Sequence, residues 1–421
     1  MTIDTQLITV TDALKKWDLN TALKAINQIP TADETWETQQ LKGRIFLLLG
    51  NFPEAQIAFE SALKSKPKAP TLLTGLAEVF SKTGETAAAK DLLENAIQIA
   101  PDDADAHFQL GLLYVETGYF EDAIAHLDIA ATAMPEDSAP LTLKARALMG
   151  SQNLSQAEAV FLAALTRNPR DPEAHYFLSE LYFETGAVMK ALASLETVLT
   201  LMPDHKEALH TLGFTYFQLS RFKEALPFLE KERTQNPTNT ELQLQIATCL
   251  TETGDSPSAI RMLDTLLQNN PADVSLFCAK GMAQLKAKTY KEAMETFKQA
   301  SKTDPAHYLP FHYMGMLFLE TKRYDDAIKA YRKALSIDPE NHELHVALGS
   351  CFLATQRSEE AIVSFKKAES ISTQSLSKLL LGRALLDAGK NQESDAIFNA
   401  CIQENPDIKA QVAVFKTLAL G

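Results

Sequence analysis

The chain has only four cysteines, at 249, 278, 351 and 401, and no two of them form a CxxC pair. That spacing offers neither a disulfide framework nor a zinc pattern. It fits a reducing compartment, so a cytoplasmic protein is expected. The opening MTIDTQLITV lacks a basic n-region, and no long apolar run follows it. No secretory signal, membrane-spanning helix or membrane insertion is expected. Positive charge is scarce, and the net charge is -14. General nucleic-acid binding needs cationic surface to displace counterions from phosphate, so it is disfavoured, while basic partners are favoured. The phosphate loop GxxxxGK followed by Ser or Thr, the pair HExxH and the elbow GxSxG are all missing. With them go the sequence signals for phosphate-loop, metalloprotease and serine-hydrolase chemistry. No cofactor and no metal is expected.

Core-forming material is present instead. Of 421 residues, 46% are hydrophobic and 22% charged. Length alone suggests two or three globular domains. The prolines overturn that count. They fall at 67, 101, 135, 169, 203, 237, 271, 305 and 339, each step being 34 residues. Nine prolines in register mark an internal repeat, with one helix end per repeat.

With these prolines at position 32 of the repeat, the rest aligns. Position 8 is small in ten successive repeats, from Gly43 and Ala77 to Gly315 and Gly349. Position 20 is alanine in all ten, from Ala55 to Ala361. Position 24 is Phe, Leu or Tyr, as in Phe59, Leu93, Phe297, Tyr331 and Phe365. Position 15 is often glycine, as in Gly50, Gly84, Gly118, Gly186 and Gly254. Positions 4, 7, 8 and 11 share one helical face, and 20, 24 and 27 share a face of a second helix. Small residues at 8 and 20 let the two helices approach, and the glycine caps the first. Pro53, Pro257, Pro140, Pro310, Pro70 and Pro172 all fall at or beside predicted helix starts, where the missing amide hydrogen costs little.

This pattern resembles the tetratricopeptide repeat. Complete repeats run 36–69, 70–103, 104–137, 138–171, 172–205, 206–239, 240–273, 274–307 and 308–341. Repeat 342–374 is one residue short, with Thr373 where proline is expected, and 375–408 follows with Gly382, Gly389, Phe398 and Pro406 in register. A degenerate repeat fits 3–35, and the tail 409–421 reads as a capping helix. About twelve repeats therefore form one all-α solenoid without strands, each burying its apolar face on its neighbours. The resemblance implies a right-handed superhelix whose first helices line a concave groove.

The pattern frays in 206–239, where Glu232 takes position 27 and Pro227 lies inside the second helix. Val198 and Leu266 also enlarge position 27. Either this is tolerated variation, or the superhelical pitch changes near 198–266. His342 and His345, with His307 and His312 nearby, suggest a metal cluster, but no cysteine or carboxylate set completes a zinc pattern. His345, His107 and His175 all hold position 4, which reads as packing. Carboxylates recur near position 19 and after the repeat proline, as helix capping demands.

Positions 2, 5, 9 and 12 of the first helices share the face that lines the implied groove. Candidate partner-binding residues there are Phe108, Leu112, Val115, Tyr176, Glu180, Phe183, His210, Phe214, Phe217, His312, Met316 and Leu319. The same positions hold Thr142, Arg146, Met149, Leu244, Thr248, Thr251, Cys278, Met282 and Leu285. Exposed apolar rows imply a partner, while tight curvature would bury many of them. By family comparison, a carboxylate clamp needs lysine at position 5 and asparagine at position 9, and neither occurs. The asparagine ladder at position 6 of sugar-transferase members is also absent.

Residues 85–142 carry twelve acidic side chains and one basic, Lys90, whereas 286–333 carry ten basic and six acidic. Either these are solvated faces, or the acidic stretch receives a basic partner segment. The opposite polarity also allows head-to-tail self-association. The leading reading is a non-enzymatic adaptor holding a peptide or helix of a partner protein in the groove. The alternatives are an accessory or regulatory subunit of an enzyme assembly and a self-assembling scaffold.

Overall fold

The computed structural model describes residues 3–30, 35–372 and 375–418. Thr373, residues 31–34 of the first repeat and 419–421 of the tail lie outside them. Among the described residues there are twenty-five α-helices and no strand. Twenty-four pair into hairpins that follow the 34-residue frame, and the last, Lys409–Leu418, follows a short 3-10 turn at Pro406–Ile408. The chain packs as two compact halves, Met1–Ala208 and Leu209–Gly421.

Repeat 104–137 displays the local logic. Its first helix, Ala104–Thr117, starts where the Asp103 carboxylate accepts the Ala106 amide at 3.1 Å. The second helix runs Phe120–Ala133, and Pro135 follows. Asp171, Asn239, Asp273 and Asn341 cap later first helices in the same way. The polar residues after the repeat prolines are therefore caps, each satisfying an orphan amide. Pro70 and Pro172 open their helices, and Pro53, Pro140, Pro257 and Pro310 lie in the first turn.

The hairpin turn is stricter than its sequence. Position 15 has positive φ in all twelve repeats. Six are glycines at +75° to +98°, and the others are Trp17, Gln152, Ser220, Lys288, Lys322 and Gln356 at +56° to +62°. Across each of these turns the next amide donates back to the carbonyl of position 11, as from Tyr119 to Tyr114 at 2.9 Å and from Ala187 to Tyr182 at 2.7 Å. This is the Schellman closure, and it needs a left-handed residue. Glycine is the low-strain choice; the other six side chains hold the same geometry at a cost.

Packing within each hairpin rests on positions 8 and 24. A methyl group added to Gly281 would lie 2.2 Å from Phe297, and one added to Gly315 would lie 2.7 Å from Tyr331. Phe161, Phe297, Tyr331, Phe365 and Phe398 are almost wholly buried. Alanines at position 20 are fully buried beside them, as at Ala123, Ala191 and Ala327. In the C-terminal half, Val412 and Phe415 of the last helix pack over Leu379 and Phe398.

Repeat 206–239 keeps both helices. Pro227 sits inside Phe222–Gln235. It is exposed, so the carbonyl it leaves unbonded opens to water rather than to the core. Glu232 is buried, and one of its oxygens takes a bond from His210 Nδ1 at 3.0 Å.

Two substitutions test this account by chemical denaturation. Gly281→Ala is expected to destabilise by about 1–3 kcal/mol through overpacking, and Phe297→Leu in the same chain should recover part of the loss. Unchanged stability of Gly281→Ala would contradict the close approach. Lys288→Gly is expected to stabilise by about 0.5–1 kcal/mol by relieving left-handed strain, and a loss of stability would contradict the turn.

Candidate functional site

First helices of successive repeats touch one another from 3–35 to 172–205 in the N-terminal half and from 240–273 to 308–341 in the C-terminal half. They therefore share a face, and positions 2, 5, 6, 9 and 12 line it. Most histidines on or near these helices have structural partners, whereas His312 Nδ1 and both ring nitrogens of His342 are buried with no hydrogen-bond partner among the described residues. His107, His175 and His345 at position 4 each turn Nε2 to the carbonyl of the preceding repeat proline, at 2.9, 3.1 and 2.9 Å. Gln243 donates to the Pro237 carbonyl from the same position at 2.8 Å. In these four repeats the repeat-proline carbonyl meets a ring or amide nitrogen from position 4. His307 Nδ1 accepts the Leu309 amide. Among the described residues no three His, Cys, Asp or Glu side chains come together to hold a metal ion.

The twelve candidate residues fall into three environments. His210 and Phe214 are exposed and stacked, with ring centroids 6.0 Å apart. Glu180 is also exposed. Burial raises its pKa, while the Tyr176 hydroxyl and Arg146 oppose the rise. Half-buried residues make up most of the set. Phe108 and Leu112 pack against the cluster holding Leu110 and Leu127. Tyr176 stacks on His205 at 5.1 Å, and burial, with Glu180 beside it, pushes its pKa up to about 12. Phe183 packs near Phe161. Phe217 meets Phe222 edge-on. Met316 packs near Phe297, and Leu319 near Tyr331. His312 lies edge-on to Tyr313 and Tyr331, and burial holds its pKa below the ordinary value. Val115 alone is buried, because position 12 packs against Leu143 and Ala147 of the next repeat.

Thr142, also on the face by position, is buried, and its hydroxyl donates to Asp171 at 3.2 Å. All four thiols are buried and free. Burial pushes Cys278 and Cys351 up to about 12, so they behave as small apolar groups.

Two cavities open on the first-helix face, one in each half, at matching repeat positions. The one in the C-terminal half has a volume of about 280 Å³ and lies across repeats 240–273, 274–307 and 308–341. Leu244 and Thr248 line it from positions 5 and 9 of the first of these. Cys278 and Met282 do so from the same positions of the second, and Leu309 and Tyr313 from positions 2 and 6 of the third. The N-terminal half holds its counterpart across 36–69, 70–103 and 104–137, with a volume of about 190 Å³. There the equivalent side chains are Gln40, Arg44, Thr74, Glu78, Asp105 and Gln109. Position 9 of the middle repeat is thus Met282 in one cavity and Glu78 in the other. Burial raises the Glu78 pKa, with Arg44 and Lys82 opposing.

The sequence pattern places positions 2, 5, 9 and 12 on this face, but it does not single out Leu309 and Asp105 at position 2 or assign Tyr313 and Gln109 at position 6 to it. The signal was available. Positions 2 and 6 of one repeat face positions 5 and 9 of the repeat before it, so a cavity wall is built from three repeats rather than one.

Models described as "Tetratricopeptide repeat" match residues 82–147, 216–280 and 318–369, 41–89 and 142–204, and 274–307. The BBSome complex member BBS4 of Bos taurus is 25% identical over 132 residues, covering 31% of this chain and 24% of that protein. The match therefore spans about a quarter of the relative's length. Yeast Tom70 superposes with a TM-score of 0.48 at 13% identity, covering 91% of this chain and 95% of its own. YrrB, a TPR protein with an unusual peptide-binding site, gives 0.35 at 21% identity over 44% of this chain and 95% of its own. With repeat models matching across well over half of its length and twenty-four helices paired in the 34-residue frame, the chain belongs to the tetratricopeptide repeat family.

Proposed function

We propose that this chain is a non-enzymatic scaffold that holds a peptide or helical segment of a partner protein against the first-helix face. The observation that carries this reading is the apolar cavity bounded by Leu244, Cys278, Met282, Leu309 and Tyr313. Its volume of about 280 Å³ suits one or two apolar side chains of a bound segment. An apolar concavity with few polar groups is the usual form of a binding site. Met282 adds a side chain that adapts to different ligands. Exposed Phe214, stacked on His210, extends the apolar surface in the same half.

Perturbed groups on this face have structural causes. Burial alone accounts for most of the shifts at His312, Tyr313 and Cys278, and catalysis would call for unlike groups converging on one substrate. The four free buried thiols agree with a reducing, cytoplasmic setting. An accessory subunit of an enzyme assembly would use the same face, with the catalytic chain as partner.

The test is affinity capture from the native cell with three forms of the chain. Met282→Glu with Leu309→Glu places charge in the cavity, and Val363→Glu does so on an exposed second-helix position. The expected result is partner recovery reduced at least about tenfold by the cavity pair and unchanged by Val363→Glu. Equal recovery with all three forms would reject the reading.

A further inference from the structure

The polar cavity of the N-terminal half answers to a different chemistry from its apolar counterpart. Among the described residues, Arg44, Glu78 and Asp105 make no hydrogen bond or ion pair, although all three line one cavity of about 190 Å³. Arg44 and Asp105 are exposed, but Glu78 is half-buried, and a carboxylate in a partly closed space usually finds a partner inside the protein, because desolvation is costly otherwise. Here burial already acts on Glu78.

The remaining wall adds acceptors. Thr74 is only 7% exposed, and its hydroxyl hydrogen is spent on the Pro70 carbonyl at 3.0 Å. Its oxygen can therefore only accept from anything in the cavity. Asp103 gives one oxygen to the Ala106 amide and keeps the other. Three carboxylates and an acceptor-only hydroxyl thus surround the space, against a single guanidinium. Arg44 is exposed and favours the ionised form of Glu78. Residues 85–142, which form part of this wall and the repeats after it, hold twelve acidic side chains and one basic. Such a field draws cations toward the site.

We propose that this cavity is a cation subsite that takes a lysine or arginine side chain of the partner segment, with Glu78 and Asp105 as the paired acceptors. The proposal rests on the reading of the first-helix face as a partner surface. It assigns different side-chain classes to equivalent positions of the repeat: apolar where position 9 is Met282, cationic where it is Glu78.

The experiment is a methyl-NMR titration of the full chain with small probes: acetyl-arginine amide, acetyl-aspartate amide and acetyl-leucine amide. The arginine probe is expected to shift the Thr74 methyl in a saturable way that weakens with added salt. The aspartate probe should leave it unmoved. Glu78→Gln with Asp105→Asn should weaken the arginine probe about tenfold or more, with a thermal midpoint near that of the wild type as the check on folding. A Thr74 methyl silent to the arginine probe, or equally responsive in the double variant, overturns the proposal. If the leucine probe still shifts the Met282 methyl in that case, the partner face stands and only the cation subsite falls. Silence at both cavities counts against both readings.

Discussion

Each hairpin is held by a large side chain at position 24 entering the space that a missing or minimal side chain at position 8 leaves open. Phe297 against Gly281 is the tightest case, and Tyr331 against Gly315 repeats it. From repeat 36–69 onward nothing larger than alanine or serine stands at position 8, while the degenerate first repeat buries Val10 there, and the fully buried alanine at position 20 brings the helices together beside it. The left-handed residue at position 15 then follows from geometry. Two helices in such close contact leave room only for a tight Schellman turn, so even Trp17 and Lys322 adopt it. Every other feature of the face described above depends on this, because the spacing of first helices sets which side chains meet across repeats.

Much of this was legible in the residues. The proline period, the small residues at positions 8 and 20, and the recurrent glycine at position 15 pointed to the paired helices from residue 36 onward. They did so because each reports a backbone constraint that any repeat must meet. The turns without glycine were less legible, since Gln152 or Gln356 has no visible preference for a positive φ. Closure of the hairpin overrides that preference. Glu232 and His210 were each noticed separately, one as a break in the pattern and one as a face residue. Only the fold shows that they share a hydrogen bond.

The candidate site was legible in part. Positions 5 and 9 of single repeats can be read from the pattern, but a cavity belongs to three repeats at once, and a one-repeat frame hides that. Val115 and Thr142 show the limit of face assignment by periodicity. Both fall on the face read as lining the groove, and both are buried. The information specific to this chain lies in how equivalent positions diverge. Met282 and Glu78, and Leu309 and Asp105, hold the same places in the repeat with opposite polarity. A regular scaffold thereby presents unlike chemistries without changing its backbone.

The most direct measurement of the central claim, that partners bind the first-helix face, is site-specific photocrosslinking in the native cell. Benzoylphenylalanine is placed at Met282 in one chain and at Val363, on a second helix, in another. The account predicts a discrete crosslinked partner from position 282 and none from 363. A partner captured from 363 and not from 282 would contradict it.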